Sequence, residues 1–275
     1  MIRFPNAKIN LGLNILEKRP DAYHNLETIF YPLNLHDALE FQAASELRLE
    51  VSGTLVPGLP EDNLVMKAYR LLQQDFSQIP ALQIHLLKHI PTGAGLGGGS
   101  SDASHLLMML NDAFGLGLTQ DKLIDYALQL GSDCPFFILN QPCFAEGRGE
   151  ILHPLKLDLS TYFFVLIKPE FAVSTAWAFS QIIPAKPSTS LSELIQAPVE
   201  DWKVCVKNDF EAPVFNAYPA LSHIKQSLYD AGAVYSAMSG SGSTLYGLFK
   251  EKDREEVQIK LNLMQWPGSS KIYFA

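Results

Sequence analysis

The segment Pro91-Thr92-Gly93-Ala94-Gly95-Leu96-Gly97-Gly98-Gly99-Ser100-Ser101 carries the strongest chemical signal in the chain. Glycine lets a backbone pass through positive φ and approach a ligand with no Cβ in the way. Successive amides in such a turn, followed by the start of a helix, make a concavity of partial positive charge suited to phosphate oxygens. Five of the seven residues from 93 to 99 are glycine, more than a surface turn capped by serine requires. Ser100 and Ser101 could bond a phosphate oxygen or sit in the shell of Mg2+. A Walker A loop needs a lysine after its last glycine, and none follows here. Gly93, Gly95 and Gly98 fit a dinucleotide-binding pattern. That reading wants a ribose-binding acid at the end of a second strand about 20 residues on, where this chain has helix-like polar sequence from Gly115 to Asp121.

A second group lies near the start. Ile9, Leu11, Leu13 and Ile15 alternate with Lys8, Asn10, Gly12 and Asn14, the period of a strand. Lys8 and Asn10 then share one face, opposite an apolar face that packs into a core. On alternation alone Lys8 reads equally well as a solvated edge lysine. Asp133, just before Cys134-Pro135, reads on spacing alone as the cap of a short helix with proline in its first turn. The run SGSGST, Ser239 to Thr244, reads as a hairpin turn. Trp177 and Phe179 read as core aromatics, and His24 beside Tyr23 as a turn residue.

The elements that must position these residues mix helix and strand throughout. Further strands are predicted over Leu26 to Leu33, Leu47 to Val51, Leu82 to Ile90, Tyr162 to Ile167, Val234 to Met238, Leu245 to Phe249 and Lys271 to Phe274. Helices are predicted over Asn63 to Phe76, with Asp62 or Asn63 as N-cap, and over Ser100 to Phe114 and Thr119 to Leu130. Others run from Ser174 to Ile182, from Pro219 to Ala231 with Gly232 as the stop, and from Asp253 to Met264. The glycine-rich segment thus joins a strand to a helix. Pro184 to Glu193 reads as a surface loop. A composition shift near His153 to Leu155 marks a boundary between residues 1–154 and 155–275. The class is α+β.

The 275 residues include 47% hydrophobic and 18% charged, with a formal net charge of −8 and no basic run. Generic binding to nucleic acid or to an anionic membrane would need a basic surface, so neither partner is expected. Cys134, Cys143 and Cys205 form no CxxC pair and cannot all be disulfide-bonded, which points to a reducing compartment. No signal peptide and no apolar run of the roughly 20 residues needed to span a bilayer are visible. The expected location is the cytoplasm.

PTGAGLGGGSSDA resembles the second motif of the GHMP kinases, a family that includes galactokinase and the homoserine, mevalonate and phosphomevalonate kinases. PNAKINLGLNI, Pro5 to Ile15, resembles their first motif, and SAMSGSGSTLYGLF, Ser236 to Phe249, their third. Together these span nearly the whole chain. RPDAYHNLETIFYPLNLHD, LGSDCPFFI and FAEGRGE are similar to the branch that phosphorylates a cytidine diphosphate-linked methylerythritol. Ala22 departs from it, standing where glycine usually precedes Tyr-His; alanine is a mild change there unless φ is positive.

The resemblance implies a two-domain fold: an ATP-binding N-terminal domain like domain 2 of ribosomal protein S5, and a ferredoxin-like C-terminal substrate domain. It implies ATP and Mg2+ as cofactors, a small-molecule substrate, and a monomer or weak homodimer; no protein ligand to a metal is assigned. Asp133 would be the base that takes the substrate hydroxyl proton, with Lys8 beside it. Asn10 would bond the erythritol portion. Tyr23 would stack on the cytosine and His24 would bond its edge, with Trp177 or Phe179 completing the sandwich. Asn63 would bond adenine. Pro91, Gly93, Gly95, Leu96, Gly97, Gly98, Gly99, Ser100 and Ser101 would surround the triphosphate, and Gly240 and Ser241 would line the substrate side. A base in hydrogen-bond reach, a cation beside it and amides around the phosphates are sufficient parts for phosphoryl transfer. The rival readings are a GHMP kinase for another alcohol such as homoserine or a mevalonate derivative, a nicotinamide-dependent oxidoreductase, and a non-catalytic nucleotide sensor. Tyr23-His24 argues against the first, whose substrates carry no base to stack.

Overall fold

The computed structural model describes all 275 residues. They form two compact units, each built from more than one stretch of chain. The first comprises Met1–Lys8, Asn34–Thr92 and Gly97–Gln141; the second comprises Ile9–Leu33, Gly93–Leu96 and Pro142–Ala275. The strands are β1 (Ile2–Arg3), β2 (Asn6–Lys18), β3 (His24–His36), β4 (Ala38–Ala43), β5 (Arg48–Gly53), β6 (Leu82–Lys88), β7 (Cys143–Glu146), β8 (Ile151–Pro154), β9 (Tyr162–Lys168), β10 (Tyr235–Met238), β11 (Leu245–Lys250) and β12 (Lys271–Phe274). The helices are α1 (Leu64–Asp75), α2 (Gly98–Phe114), α3 (Gln120–Leu130), α4 (Cys134–Leu139), α5 (Thr175–Ser180), α6 (Leu191–Leu194), α7 (Trp202–Cys205), α8 (Glu211–Ala217), α9 (Pro219–Asp230) and α10 (Arg254–Leu263).

In the first unit a sheet of order β1-β4-β6-β5 is covered by α1 to α4. The strand β6 alternates in burial, with Leu82, Ile84 and Leu86 inside and Leu87 in solvent, so one face of this sheet is packed. The strands β5 and β6 are parallel, as the intervening α1 crossover requires, with Leu49 opposite Ile84. The helix α2 turns Ala103, Leu106, Leu107 and Leu110 into this core, an i, i+3, i+4, i+7 stripe. Asn63 caps α1, its Oδ1 accepting from Val65 N at 2.9 Å, and Thr119 caps α3. The glycine-rich segment follows β6 and opens α2.

The second unit holds a sheet of order β10-β11-β9-β12, and the sheet of order β2-β3-β7-β8 draws most of its residues from this unit. The strand β9, flanked by β11 and β12, is buried along almost its whole length and reads as a continuous apolar run. Phe163, Val165 and Ile167 pack with Leu221, Ile224 and Leu228 of α9 and with Val257 and Leu261 of α10. No helix is long and apolar enough to cross a membrane. The short strands β4, β7 and β8 and the short helices α6 to α8 carry too little periodicity to have been predicted; α6 starts inside the stretch read as a surface loop.

The strand β2 departs from the one-sided strand that its alternation suggested. All ten residues from Asn6 to Ile15 are buried, the polar row included. Lys8 is 4% exposed, which removes the reading of a solvated edge lysine. A buried ammonium is stable only beside a partner, and its partner defines the site.

Candidate active site

That partner is Asp133. The Lys8 Nζ lies 3.3 Å from Asp133 Oδ2, with the lysine side chain 5% and the aspartate 34% exposed. Asp133 occupies the N-cap position of α4 but makes no capping hydrogen bond. Its carboxylate is turned to the ammonium and to solvent, so the helix-cap reading of this residue fails. The two groups stand 125 positions apart in sequence and meet within the first unit. Lys8 also lies against the phosphate-type loop: a Cβ added at Gly97 would meet Phe137 Cζ at 2.8 Å and Lys8 Cγ at 3.1 Å. Gly97 is left-handed at φ 69° and precedes α2 as its N-cap without any side-chain cap. The amide of Ser101 already bonds Gly97 O at 2.9 Å, which leaves the preceding amides of α2 as donors for an anion. Gly99 is exposed, with only Leu64 Cδ1, at 3.8 Å, near the place of a Cβ. The uncapped start of α2 thus lies beside a carboxylate and an ammonium.

The two serines differ. Ser100 is partly exposed at the helix start. Ser101 is fully buried, its hydroxyl 3.4 Å and its carbonyl oxygen 2.9 Å from His105 Nδ1. Burial holds the His105 imidazole down at about 4, outweighing the bond to Ser101, so the ring is neutral and donates from Nδ1 to the carbonyl. Pro91, Leu96 and Gly98 are likewise buried and shape the loop from behind, whereas Gly93 is exposed. Asn63 uses its carbonyl oxygen as the α1 cap, which leaves the amide nitrogen as its donor toward any base.

Sequence reading missed a buried ionic cluster beneath this helix start. Lys88 Nζ donates to Asp37 Oδ2 and, at 2.7 Å, to Asp102 Oδ2, all three side chains being at most 4% exposed. Asp37 Oδ1 also accepts from His89 N and Ile90 N. Asp102 Oδ1 has no partner, and burial lifts this carboxyl to about 7 against the pull of Lys88. For Lys88 burial acts downward, but Asp102 and Asp37 outweigh it and raise the ammonium. The cluster ties the end of β6 to the second turn of α2. The one sequence signal was a lysine at the end of a strand, 14 residues before the aspartate that follows the glycine-rich segment, too weak to single out.

In the second unit Asn10 Nδ2 donates to Thr28 Oγ1 at 3.0 Å, and Thr28 in turn donates to Gly12 O at 2.6 Å. The Asn10 amide approaches Ser239 Oγ at 3.3 Å, and Ser239 Oγ donates to Gly95 O at 2.8 Å. Gly95, at φ 76°, sits so close to this third glycine segment that an added Cβ would fall 2.1 Å from Ser239 O. Gly240 is left-handed at φ 57°, and Ser241 Oγ lies 2.9 Å from Thr175 Oγ1.

Tyr23 is 56% exposed, with the Arg148 guanidinium carbon 5.0 Å from its ring centroid. His24 stacks on Phe179, centroids 4.9 Å apart at 20°. Burial, then Lys18, lowers His24, so it presents one donor and one acceptor nitrogen near neutrality. Trp177 instead meets Tyr218 edge-on at 5.8 Å. Of the two aromatics left open by the sequence, Phe179 is the one beside His24. Ala22, at the foot of this turn, is left-handed at φ 67°.

Two family models match the chain, the N-terminal domain of GHMP kinases over residues 63–141 and the C-terminal domain over 191–263. A 4-diphosphocytidyl-2-C-methyl-D-erythritol kinase of Bacteroides fragilis is 56% identical over 92% of this chain and 94% of its own. Another with that name, from Parabacteroides distasonis, is 49% identical over 98% and 99%. A crystal structure of a 4-(cytidine 5'-diphospho)-2C-methyl-D-erythritol kinase superposes with a TM-score of 0.84 at 30% identity, covering 100% of this chain and 98% of that one. The chain belongs to the GHMP kinases, in their 4-diphosphocytidyl-2-C-methyl-D-erythritol kinase branch.

Proposed function

We propose that this protein transfers the γ-phosphoryl group of ATP to the 2-hydroxyl of 4-diphosphocytidyl-2-C-methyl-D-erythritol, giving the 2-phosphate and ADP, a step of non-mevalonate isoprenoid precursor synthesis. The observation that carries the chemistry is the Lys8–Asp133 pair at 3.3 Å, set beside the uncapped start of α2. Asp133 is the base. It takes the proton of the attacking hydroxyl as that oxygen bonds phosphorus and the bond to the β-phosphate oxygen breaks. Lys8 stands beside the Asp133 carboxylate and stabilises charge growing on the attacking oxygen. The free amides of the α2 N-terminus hold the phosphates by hydrogen bonds and the helix dipole. Phosphoryl transfer demands mainly positioning and charge neutralisation, which these parts supply.

The chain has no cluster of three or more His, Cys, Asp or Glu side chains placed to hold a metal. Ser100, at the start of α2, would complete a shell that Mg2+ shares with the nucleotide phosphates, because Mg2+ keeps several waters and takes few protein ligands. When bound, it neutralises phosphate charge.

Tyr23, His24 and Phe179 form the base-recognition group. Cytosine offers a donor and an acceptor side by side on its edge, which the neutral His24 matches, while Tyr23 and Phe179 supply ring faces. Asn10, Gly240 and Ser241 serve the alcohol-bearing portion, and Asn63 the adenine. Purified protein incubated with ATP, Mg2+ and the cytidyl alcohol, with homoserine and mevalonate in parallel, tests the assignment by ADP release. Release with the cytidyl alcohol alone is expected; release with another alcohol and none with the cytidyl compound would overturn it.

A further inference from the structure

We infer that Asn208 is a positioning residue of the substrate-binding machinery, the residue that sets where the third glycine segment sits against β2. No sequence motif had singled it out. Asn208 is 3% exposed and its carboxamide is fully engaged. Nδ2 donates to Met238 O and to Gly240 O, both at 2.8 Å, and Oδ1 accepts from Phe210 N at 3.0 Å. Its own backbone is stapled to β2. Leu13 N donates to Lys207 O at 2.8 Å, Asp209 N donates to Leu13 O at 2.9 Å, and Ile15 N donates to Asp209 Oδ2 at 2.7 Å. Glu211 completes the clasp, accepting from Met238 N at 2.8 Å and from Lys225 Nζ at 2.6 Å. Residues 207–211 therefore grip β2 on one side and both backbone groups of Met238 on the other.

The consequence falls on Gly240. Its carbonyl is one of the two that Asn208 holds, and the place a Cβ would take on it is 3.5 Å from Asn10 Oδ1 and 3.6 Å from Gly95 Cα. Ser239, between the two gripped carbonyls, bonds Gly95 O and faces the Asn10 amide. One carboxamide thus sets the spacing between Asn10 and Gly240, which the proposed function gives to the alcohol; the inference rests on that reading. A carboxamide suits this place because it donates twice to carbonyl oxygens that only accept, while its own oxygen accepts from Phe210 N. A site held within about half an ångström of its working geometry depends on such supporting bonds.

The isosteric change Asn208→Asp tests this. Aspartate keeps the acceptor for Phe210 N but brings a second oxygen against Met238 O and Gly240 O, so the carboxylate repels both and only its protonated form can bond one of them. The neighbouring titratable groups, Asp209 and Glu211, are themselves acceptors, Glu211 being paired with Lys225. The expected result is a rise of tenfold or more in the KM for the cytidyl alcohol at pH 9, recovering to within threefold of the parent at pH 6, with the KM for ATP within threefold throughout. Asn208→Ala, which loses both donors at every pH, should show a similar rise in KM without the recovery. Melting temperatures taken at both pH values separate folding from positioning, and Asn208→Ala serves if the aspartate variant does not fold. A KM equal to that of the parent in both variants, or an Asn208→Asp defect of equal size at pH 6 and pH 9, would overturn the inference. If the parent protein turns over a different alcohol, the substrate reading fails, and the same pH comparison run on that alcohol still decides the role of Asn208.

Discussion

Ala22 offers a test in which one backbone angle sets the outcome. The connection from β2 to β3 is closed by Arg19 N donating to Tyr23 O at 2.8 Å and by Ala22 N donating to Arg19 O at 3.2 Å. Pro20 thus sits at the second place of a four-residue turn and Ala22 at the fourth, the place where glycine is favoured. Ala22 has φ 67° and is exposed, so a change there alters strain without removing packing. A left-handed alanine costs roughly 1–2 kcal/mol relative to its preferred region. Glycine removes that cost but gives back about 0.4–1 kcal/mol through the greater freedom of the unfolded chain. Ala22→Gly should therefore stabilise by about 0.5–1 kcal/mol, a rise of roughly 1–4 °C in Tm for a chain of this size. Ala22→Asn should gain a few tenths of a kcal/mol, because asparagine tolerates this region. Ala22→Val should lose about 1 kcal/mol or more, since a branched Cβ crowds the same conformation. Scanning calorimetry with urea titration would give the order Gly, Asn, Ala, Val from most to least stable. A glycine variant below the parent, or a valine variant equal to it, would refute the strain argument.

Other tests address the chemistry. Asp133→Asn should lower kcat by 10²-fold or more while ATP binding, measured by titration with a non-hydrolysable analogue, stays within a few-fold; near-normal turnover would remove Asp133 as the base. Phe179→Ala should raise the KM for the cytidyl alcohol by about 1–3 kcal/mol in stacking, and Trp177→Ala by much less; the reverse order would transfer the aromatic role to Trp177. His105 gives a stability prediction with a definite sign. Its folded value of about 4 lies below the ordinary 6.5 because the ring is buried, so below pH 6.5 the unfolded chain binds a proton that the native protein does not. The stabilisation present above pH 6.5 is lost as pH falls toward 4, by roughly 3 kcal/mol in all. Urea midpoints from pH 7.5 to pH 4.5 should fall less steeply in His105→Gln than in the parent, and equal slopes would count against the assignment.

Much of this protein was legible from local sequence, because local patterns obey local rules. The alternation from Lys8 to Ile15 is a strand, the glycine-rich segment does join β6 to α2, and Asn63 and Thr119 cap the helices that follow them. These features depend on backbone conformation and on neighbours within a few positions. The motifs, read together, pointed to the family, and the fold and the relatives agree.

What the tertiary structure alone decided are the pairings between distant residues. Asp133 looks like a helix cap in sequence, but in the fold it turns to Lys8, a group that no local rule connects to it. Ser100 and Ser101 are the same residue type side by side, yet the 100° step of a helix sends the second into the core against His105. Trp177 and Phe179 are equivalent in composition, and only packing sets one on Tyr218 and the other on His24. The Asp37–Lys88–Asp102 cluster and the Asn208 clasp left nothing in the pattern strong enough to single them out. The bonds from Lys88 to Asp37 and Asp102, and from Asn208 to the carbonyls of Met238 and Gly240, span between 14 and 51 positions. Periodicity reports which face a residue takes, whereas a hydrogen bond across such a distance exists only once the core has brought its two ends together.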